Sequence, residues 1–307
     1  MKANMKINSK MKFGVVAIIA VLILLVIIMF INRTDKESVS LRHIHGLGYT
    51  SDGKQLIIPA HEGLVSYAND RWQPLEGDKH DYMGFNAVKN GFYSSGHPAR
   101  SSELQDPLGI VRSTDLGKSV EILDFQGVED FHWLAVGYET ETIYLFNPQP
   151  NAKLDAVGLY RSQDEALTWE RSGMNGISGD LIAMAAHPTD PATIAVSTSS
   201  GAFLSTDFGD QFHKLPVDQV VTALAFGIHG DLFIGGKGIL LRHTGDKTSS
   251  LSVLPLASDD AIMYIAQNPK QENEFALATS SMNVFLSKDN GLSWSQIADK
   301  GKGLSSR

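Results

Sequence analysis

Two hydrophobic patterns divide the chain. Phe13 to Ile31 is an unbroken apolar run, FGVVAIIAVLILLVIIMFI, of 19 residues without charge or proline. As a helix it spans the roughly 30 Å hydrocarbon layer of a bilayer, so the pattern predicts a transmembrane helix over residues 13–31 with the lipid bilayer as partner. The run ends in Met29-Phe30-Ile31-Asn32, without the small-x-small site of a cleaved leader, so the helix is expected to remain as a signal anchor. Lys2, Lys6, Lys10 and Lys12 precede it without any acid, which predicts a cytoplasmic segment 1–12 and an extracytoplasmic remainder. Residues 32–41 are polar and read as a stalk. Beyond them the pattern changes to short segments rich in β formers and bounded by Gly, Asp or Asn, the first four being HIHGLGY, KQLIIPA, GLVSYA and RWQPL. No long helical period follows residue 32.

The short segments recur. Ser113-Thr-Asp115-Leu-Gly117, Ser162-Gln-Asp164 running to Trp169, Ser205-Thr-Asp207-Phe-Gly209 and Ser287-Lys-Asp289-Asn-Gly291 running to Trp294 start 49, 43 and 82 residues apart. The last interval is twice 41, so one unit without the motif lies inside it, and a period of 41 to 49 residues suits a four-stranded propeller blade. Six units result, at about 42–75, 79–123, 129–172, 179–215, 220–256 and 259–298, which predicts an all-β, six-bladed β-propeller over 42–298 with a polar tail at 299–307. Closure of the ring is open, Glu37 to Leu41 being available as an added outer strand.

The motif resembles the Asp box, S-x-D-x-G-x-x-W, of BNR-repeat propellers: bacterial sialidases, sortilin-type receptors and the photosystem II assembly propellers. The resemblance implies that Ser and Asp tie down the turn between the third and fourth strands, that Gly takes a left-handed conformation, and that the aromatic packs between sheets. Val120 replaces the aromatic in the first copy and Ala166 the glycine in the second.

Composition narrows the function classes. All 34 acidic residues follow residue 32, whereas four of the 26 basic ones precede residue 13, so the body of the chain has twelve more acids than bases. That excludes nucleic acid as an expected partner, because its affinity rests on neutralising phosphates. The absence of cysteine excludes disulfides, thiol nucleophiles and thiolate metal ligands.

Aligning the innermost strands places His43 and His45, Asp81 and Met83, Asp130 and His132, Asp180, Thr222 and Asp260 at the channel end of each blade. Residues two apart on a strand point the same way, so each of the first three pairs is expected to send both groups to one side. His61 and His97 occupy the turns between the second and third strands of blades one and two, on the same face. His43, His45, His61, His97 and His132 are thus the expected ligand-binding groups, with His43, His45, His132 and Met83 a candidate set for copper or zinc. His187 falls on the opposite face, and His80, His213, His229 and His243 on turns expected to be solvated.

The opening His43-Ile-His45-Gly-Leu, with Met83-Gly-Phe, Ser95-Gly-His97-Pro and Asp130-Phe-His132, also resembles exported bacterial propellers labelled as glycosyl hydrolases. That resemblance implies a glycoside hydrolase acting on surface or environmental polysaccharide, with Asp81 and Asp130 as the carboxylate pair. Sialidase action would need an arginine triad, and Arg112 and Arg161 precede Asp boxes on the wrong face. Three readings therefore stand: a membrane-anchored binding module for a carbohydrate, a protein or another ligand, with or without a metal; a glycoside hydrolase; and an assembly scaffold for an envelope protein.

Overall fold

The computed structural model describes residues 39–251, 256–257 and 259–304. Six antiparallel sheets follow one another along the chain. Blade one comprises β1 (Gly48–Tyr49), β2 (Leu56–Ala60), β3 (Gly63–Ala68) and β4 (Arg71–Pro74). Blade two comprises β5 (Asp81–Val88), β6 (Gly91–His97), β7 (Ile110–Ser113) and β8 (Glu121–Asp124). Blade three is β9 (Leu134–Val136), β10 (Ile143–Asn147), β11 (Gly158–Ser162) and β12 (Glu170–Arg171); blade four is β13 (Leu181–Ala186), β14 (Ile194–Thr198), β15 (Gly201–Ser205) and β16 (His213–Lys214). Blade five is β17 (Val221–Phe226), β18 (Leu232–Gly236), β19 (Ile239–Thr244) and β20 (Lys247–Ser250). Blade six has five strands: β21 (Ile262–Asn268), β22 (Gln271–Thr279), β23 (Val284–Ser287), β24 (Ser295–Asp299) and β25 (Lys302–Gly303). Strands pair in sequence order within each blade, and the first strand of every blade contacts that of the next, blade six returning to blade one. The fold is a six-bladed propeller.

The core is divided into layers between blades. Phe92 packs toward blade one with Ile57, Leu64 and Tyr82, while its neighbour Tyr93 packs toward blade three with Phe131 and Leu145. Likewise Phe233 joins the layer against blade six and Ile234 the layer against blade four. A strand buried on both faces reads as an apolar run rather than as a clean alternation, which is why KQLIIPA and its counterparts look as they do.

The four repeated turns fold alike. In each, the serine Oγ bonds the aspartate Oδ1 and accepts the N–H of the fourth residue on, at 2.9 to 3.0 Å for Gly117, Ala166, Gly209 and Gly291. That fourth residue is left-handed in every copy, including Ala166 at φ 67°. Trp169, Phe212 and Trp294 pack into interblade layers, and Val120 does so in the copy that lacks the aromatic.

Two boundaries need correction. Val39–Leu41 is not stalk: Leu41 donates its N–H to the Gly301 carbonyl at 2.7 Å, Gly303 donates to the Val39 carbonyl at 3.0 Å, and the Leu41 side chain is fully buried between blades one and six. Nor is 299–303 tail, since Asp299 pairs with Lys302 in the β24–β25 hairpin. The ring thus closes by pairing of its two ends. The apolar run 13–31 lies outside the described residues, among which no helix is long and apolar enough to cross a membrane.

Candidate functional site

The expected inner strands are regular only in part. Asp81 and Met83 belong to β5, but His43 and His45 precede β1, and Asp130 and His132 precede β9. His43 has φ 51°, a left-handed conformation that breaks the extended run, so strand alternation does not govern its direction. His43 and His45 meet through stacked rings instead, their centroids 6.2 Å apart, and His43 meets His61 edge-on at 5.9 Å.

The candidate groups gather as two carboxylates, each shared by two imidazoles. Asp81 Oδ2 lies 2.6 Å from His61 Nδ1, and Asp81 Oδ1 lies 3.6 Å from His45 Nε2. Across the next blade boundary Asp130 Oδ2 lies 3.3 Å from His97 Nε2 and 3.4 Å from His132 Nδ1. The carboxylates sit beneath, with side chains 14 and 12% exposed, while His61, His97 and His132 are 57, 46 and 60% exposed above them. A ligand arriving from solvent therefore meets imidazoles first.

Local backbone geometry makes this possible. Gly96 at φ 122° brings β6 so close to β5 that a Cβ there would lie 1.9 Å from the Asp81 carbonyl oxygen. That approach carries His97, one residue on, directly opposite Asp81 in the strand register. Ser95, buried two residues before His97, donates to Asp130 Oδ1 at 3.3 Å and accepts the Phe131 N–H at 2.9 Å, fixing the Asp130 segment.

The imidazoles are not equivalent. A hydrogen bond from Nδ1 to Asp106 Oδ1 at 2.7 Å, aided by Asp130, raises the His97 pKa above the ordinary histidine value. Burial lowers that of His45, outweighing the attraction of Asp81. Asp106 is the site residue that sequence reasoning missed, since it lies in the loop between β6 and β7, outside the repeated strands. Ser95 was findable: it is two residues from His97 on the same strand.

Several expectations change. His80 is buried and not solvated, its Nδ1 accepting the Ala99 N–H at 2.9 Å where the 98–109 loop folds over it. His243 is buried beside Thr248. Asp260 is also buried; it accepts from Ser280, Ser281 and Asn283 and so fixes a turn. His187 caps a turn on the opposite face, accepting the Asp190 N–H. Among the described residues, no three His, Asp or Glu side chains stand ready to ligate one ion. The imidazoles instead divide between two carboxylates.

The channel holds a cavity of about 430 Å³ lined by His45, Met83, Trp133, Ile182, Thr222 and Met263, among others.

No protein-family model and no curated protein sequence matches the chain. Solved structures do. A GH74 xyloglucanase from Xanthomonas campestris shares 15% identity over 85% of this chain at a TM-score of 0.53, and a GH74 enzyme from Niastella koreensis shares 15% over 85% at 0.55. The chain spans about half of those enzymes, covering 46% of each. A gluconolactonase from Xanthomonas campestris shares 13% identity over 78% of this chain and 85% of its own, at a TM-score of 0.56. At such identities the likeness is one of fold, and the chain is a six-bladed propeller similar in architecture to these enzymes.

Proposed function

We propose that this protein is a binding module that takes a small ligand at the channel mouth. The observation that carries the reading is the exposure of His61, His97 and His132 above two carboxylates that orient them, over a cavity of about 430 Å³. An imidazole held by a carboxylate is fixed in direction and donor role, which suits recognition of a polar group. Hydrolysis by Asp81 and Asp130 finds less support, because a glycosidase presents its two carboxyl groups to the scissile bond and here imidazoles cover both. A scaffold role would call for a large apolar or charged patch, and among the described residues the exposed large hydrophobics Val128, Val157, Leu167, Val220, Leu292 and Leu304 are spread over several blades. Anchoring through residues 13–31 with the propeller outside the cell membrane belongs to the proposal. It rests on the apolar run and its preceding lysines, and protease added to intact protoplasts tests it by digesting the propeller.

The binding reading is tested by saturation-transfer NMR with a mixed set of sugars, amines, alcohols and carboxylic acids. Some responders to the wild-type protein should fall silent with the double variant His45→Ala, His132→Ala. If none responds, or every responder persists with the double variant, the mouth is not the site.

A further inference from the structure

Among the described residues, His97 is the mouth histidine with a carboxylate at each ring nitrogen. Its Nδ1 lies 2.7 Å from Asp106 Oδ1 and its Nε2 3.3 Å from Asp130 Oδ2. A neutral imidazole has a hydrogen on one nitrogen and a lone pair on the other, whereas the imidazolium has a hydrogen on both. The cation alone therefore satisfies both contacts. A third carboxylate, Asp81, itself engaged by His61 and His45, stands opposite His97 in the strand register and favours the same form. The bond to Asp106, then Asp130 and Asp81, accordingly raise the His97 pKa against the opposing effect of burial.

The two contacts bind different parts of the fold. Asp106 belongs to the 98–109 loop of blade two, pinned to that blade where Leu108 donates to the Gly96 carbonyl at 2.8 Å and Ala99 to His80 Nδ1 at 2.9 Å. Asp130 precedes β9 of blade three, where Ser95 donates to its Oδ1 and His132 Nδ1 stands 3.4 Å from its Oδ2. When His97 gives up one hydrogen, the other stays with the nearer acceptor, Asp106. The Nε2 lone pair then faces Asp130, and an attraction across the blade boundary becomes a repulsion.

We propose that His97 is a proton-operated tie between blades two and three at the mouth, closed while both ring nitrogens carry hydrogen and released when Nε2 loses its own. Because the folded protein favours the cation, the tie is present at lower pH and lost as pH rises through the folded value. On release, Nε2 of His97 and Oδ2 of Asp130 become acceptors without each other, open to a ligand that brings a donor group. This control of binding rests on the mouth being the ligand site.

The test is a histidine side-chain NMR titration of the ¹⁵N-labelled full chain from about pH 5 to about pH 10. His97 should titrate above about 6.5 and pass from the imidazolium to the Nδ1–H tautomer. His132, which shares Asp130, should shift at the His97 midpoint. The buried Phe131 N–H, held by Ser95 beside Asp130, should exchange with deuterium at least about threefold faster above that midpoint, after correction for the intrinsic rate. Asp106→Asn should move all three responses together to lower pH, and His97→Gln should remove the step in Phe131 exchange. His187, on the opposite face, should be indifferent to both changes. A His97 midpoint at or below about 6.5, a neutral form with its hydrogen on Nε2, or Phe131 protection unchanged across the midpoint overturns the tie. None of these readings needs a ligand. Control of binding is read separately, by repeating the saturation-transfer screen on either side of the His97 midpoint. Responders should gain signal at the higher pH with the wild type and not with His97→Gln. Responders without that gain, while the tie titrates, overturn its control of the site. No responder at either pH removes the mouth reading and leaves the tie to stand on its titration.

Discussion

The Nδ1 of His61 lies 2.6 Å from Oδ2 of Asp81, across the boundary between blades one and two. His97 and Asp130 repeat the relationship between blades two and three at 3.3 Å. The groups proposed to face a ligand are therefore also ties between blades, and perturbing the mouth should register in stability as well as in binding.

Two shifted histidines of the mouth, His45 and His97, give stability a pH dependence of known sign. His97, raised, contributes stability that is present below the unfolded histidine value of about 6.5 and is lost as pH rises through its folded pKa. His45, lowered, contributes stability present above that value and lost as pH falls. Asp106→Asn removes the main cause of the His97 shift. Denaturant midpoints should show the variant less stable than wild type below about pH 6.5, by less than about 1 kcal/mol at so exposed a pair, with the difference vanishing at alkaline pH. An equal difference at every pH would sink the assignment.

Gly96 should not accept a side chain. Gly96→Ala forces a methyl group against the Asp81 carbonyl, and its cost is about 1 to 3 kcal/mol together with weaker ligand binding at the mouth. An unchanged melting temperature would contradict the strand approach described above.

Ser287 carries a turn without touching the mouth. Ser287→Ala leaves the buried Gly291 N–H without its acceptor, which should cost about 1 to 3 kcal/mol. Mouth binding per folded molecule should stay constant, and a selective loss of binding would make the turn a recognition element.

Much of this fold was legible because the repeated Ser-x-Asp turns mark the same point in successive blades. Ala166 shows why a degraded copy still counted: the serine and aspartate bonds hold the turn even where the left-handed position lacks glycine. The five mouth histidines come together because equivalent positions in neighbouring blades converge, their role toward a ligand being the proposal above. What sequence could not show is set by loops outside the repeat. Nothing in residues 98–109 announces that they cover His80 or supply Asp106, and the left-handed turn at His43 has no glycine to mark it.

Among the described residues no three histidine or carboxylate side chains stand ready to ligate one ion, so side chains of the mouth would have to move before copper or zinc could be held. Well under one equivalent should therefore survive desalting of the metal-loaded protein, and what is retained should leave below about pH 6. A full equivalent, lost with His45→Ala, His132→Ala, would replace the small ligand with a metal centre.

Closure of the ring rests on Leu41. Leu41→Ala empties a fully buried site between the first and last blades and should cost about 2 to 5 kcal/mol in denaturant unfolding, whereas Leu304→Ala, at an exposed position, should stay within about 0.5 kcal/mol.

Because Val39–Leu41 runs beside Gly301–Gly303, the place where the chain enters the ring is also the place where it leaves. Sequence order and spatial order are then separable. A circular permutant that links residue 304 to residue 39 and opens at the exposed Gly245 hairpin, where a side chain would meet open space, retains every sheet while its numbering begins in blade five. Which blade comes first is an accident of where the gene starts reading the circle.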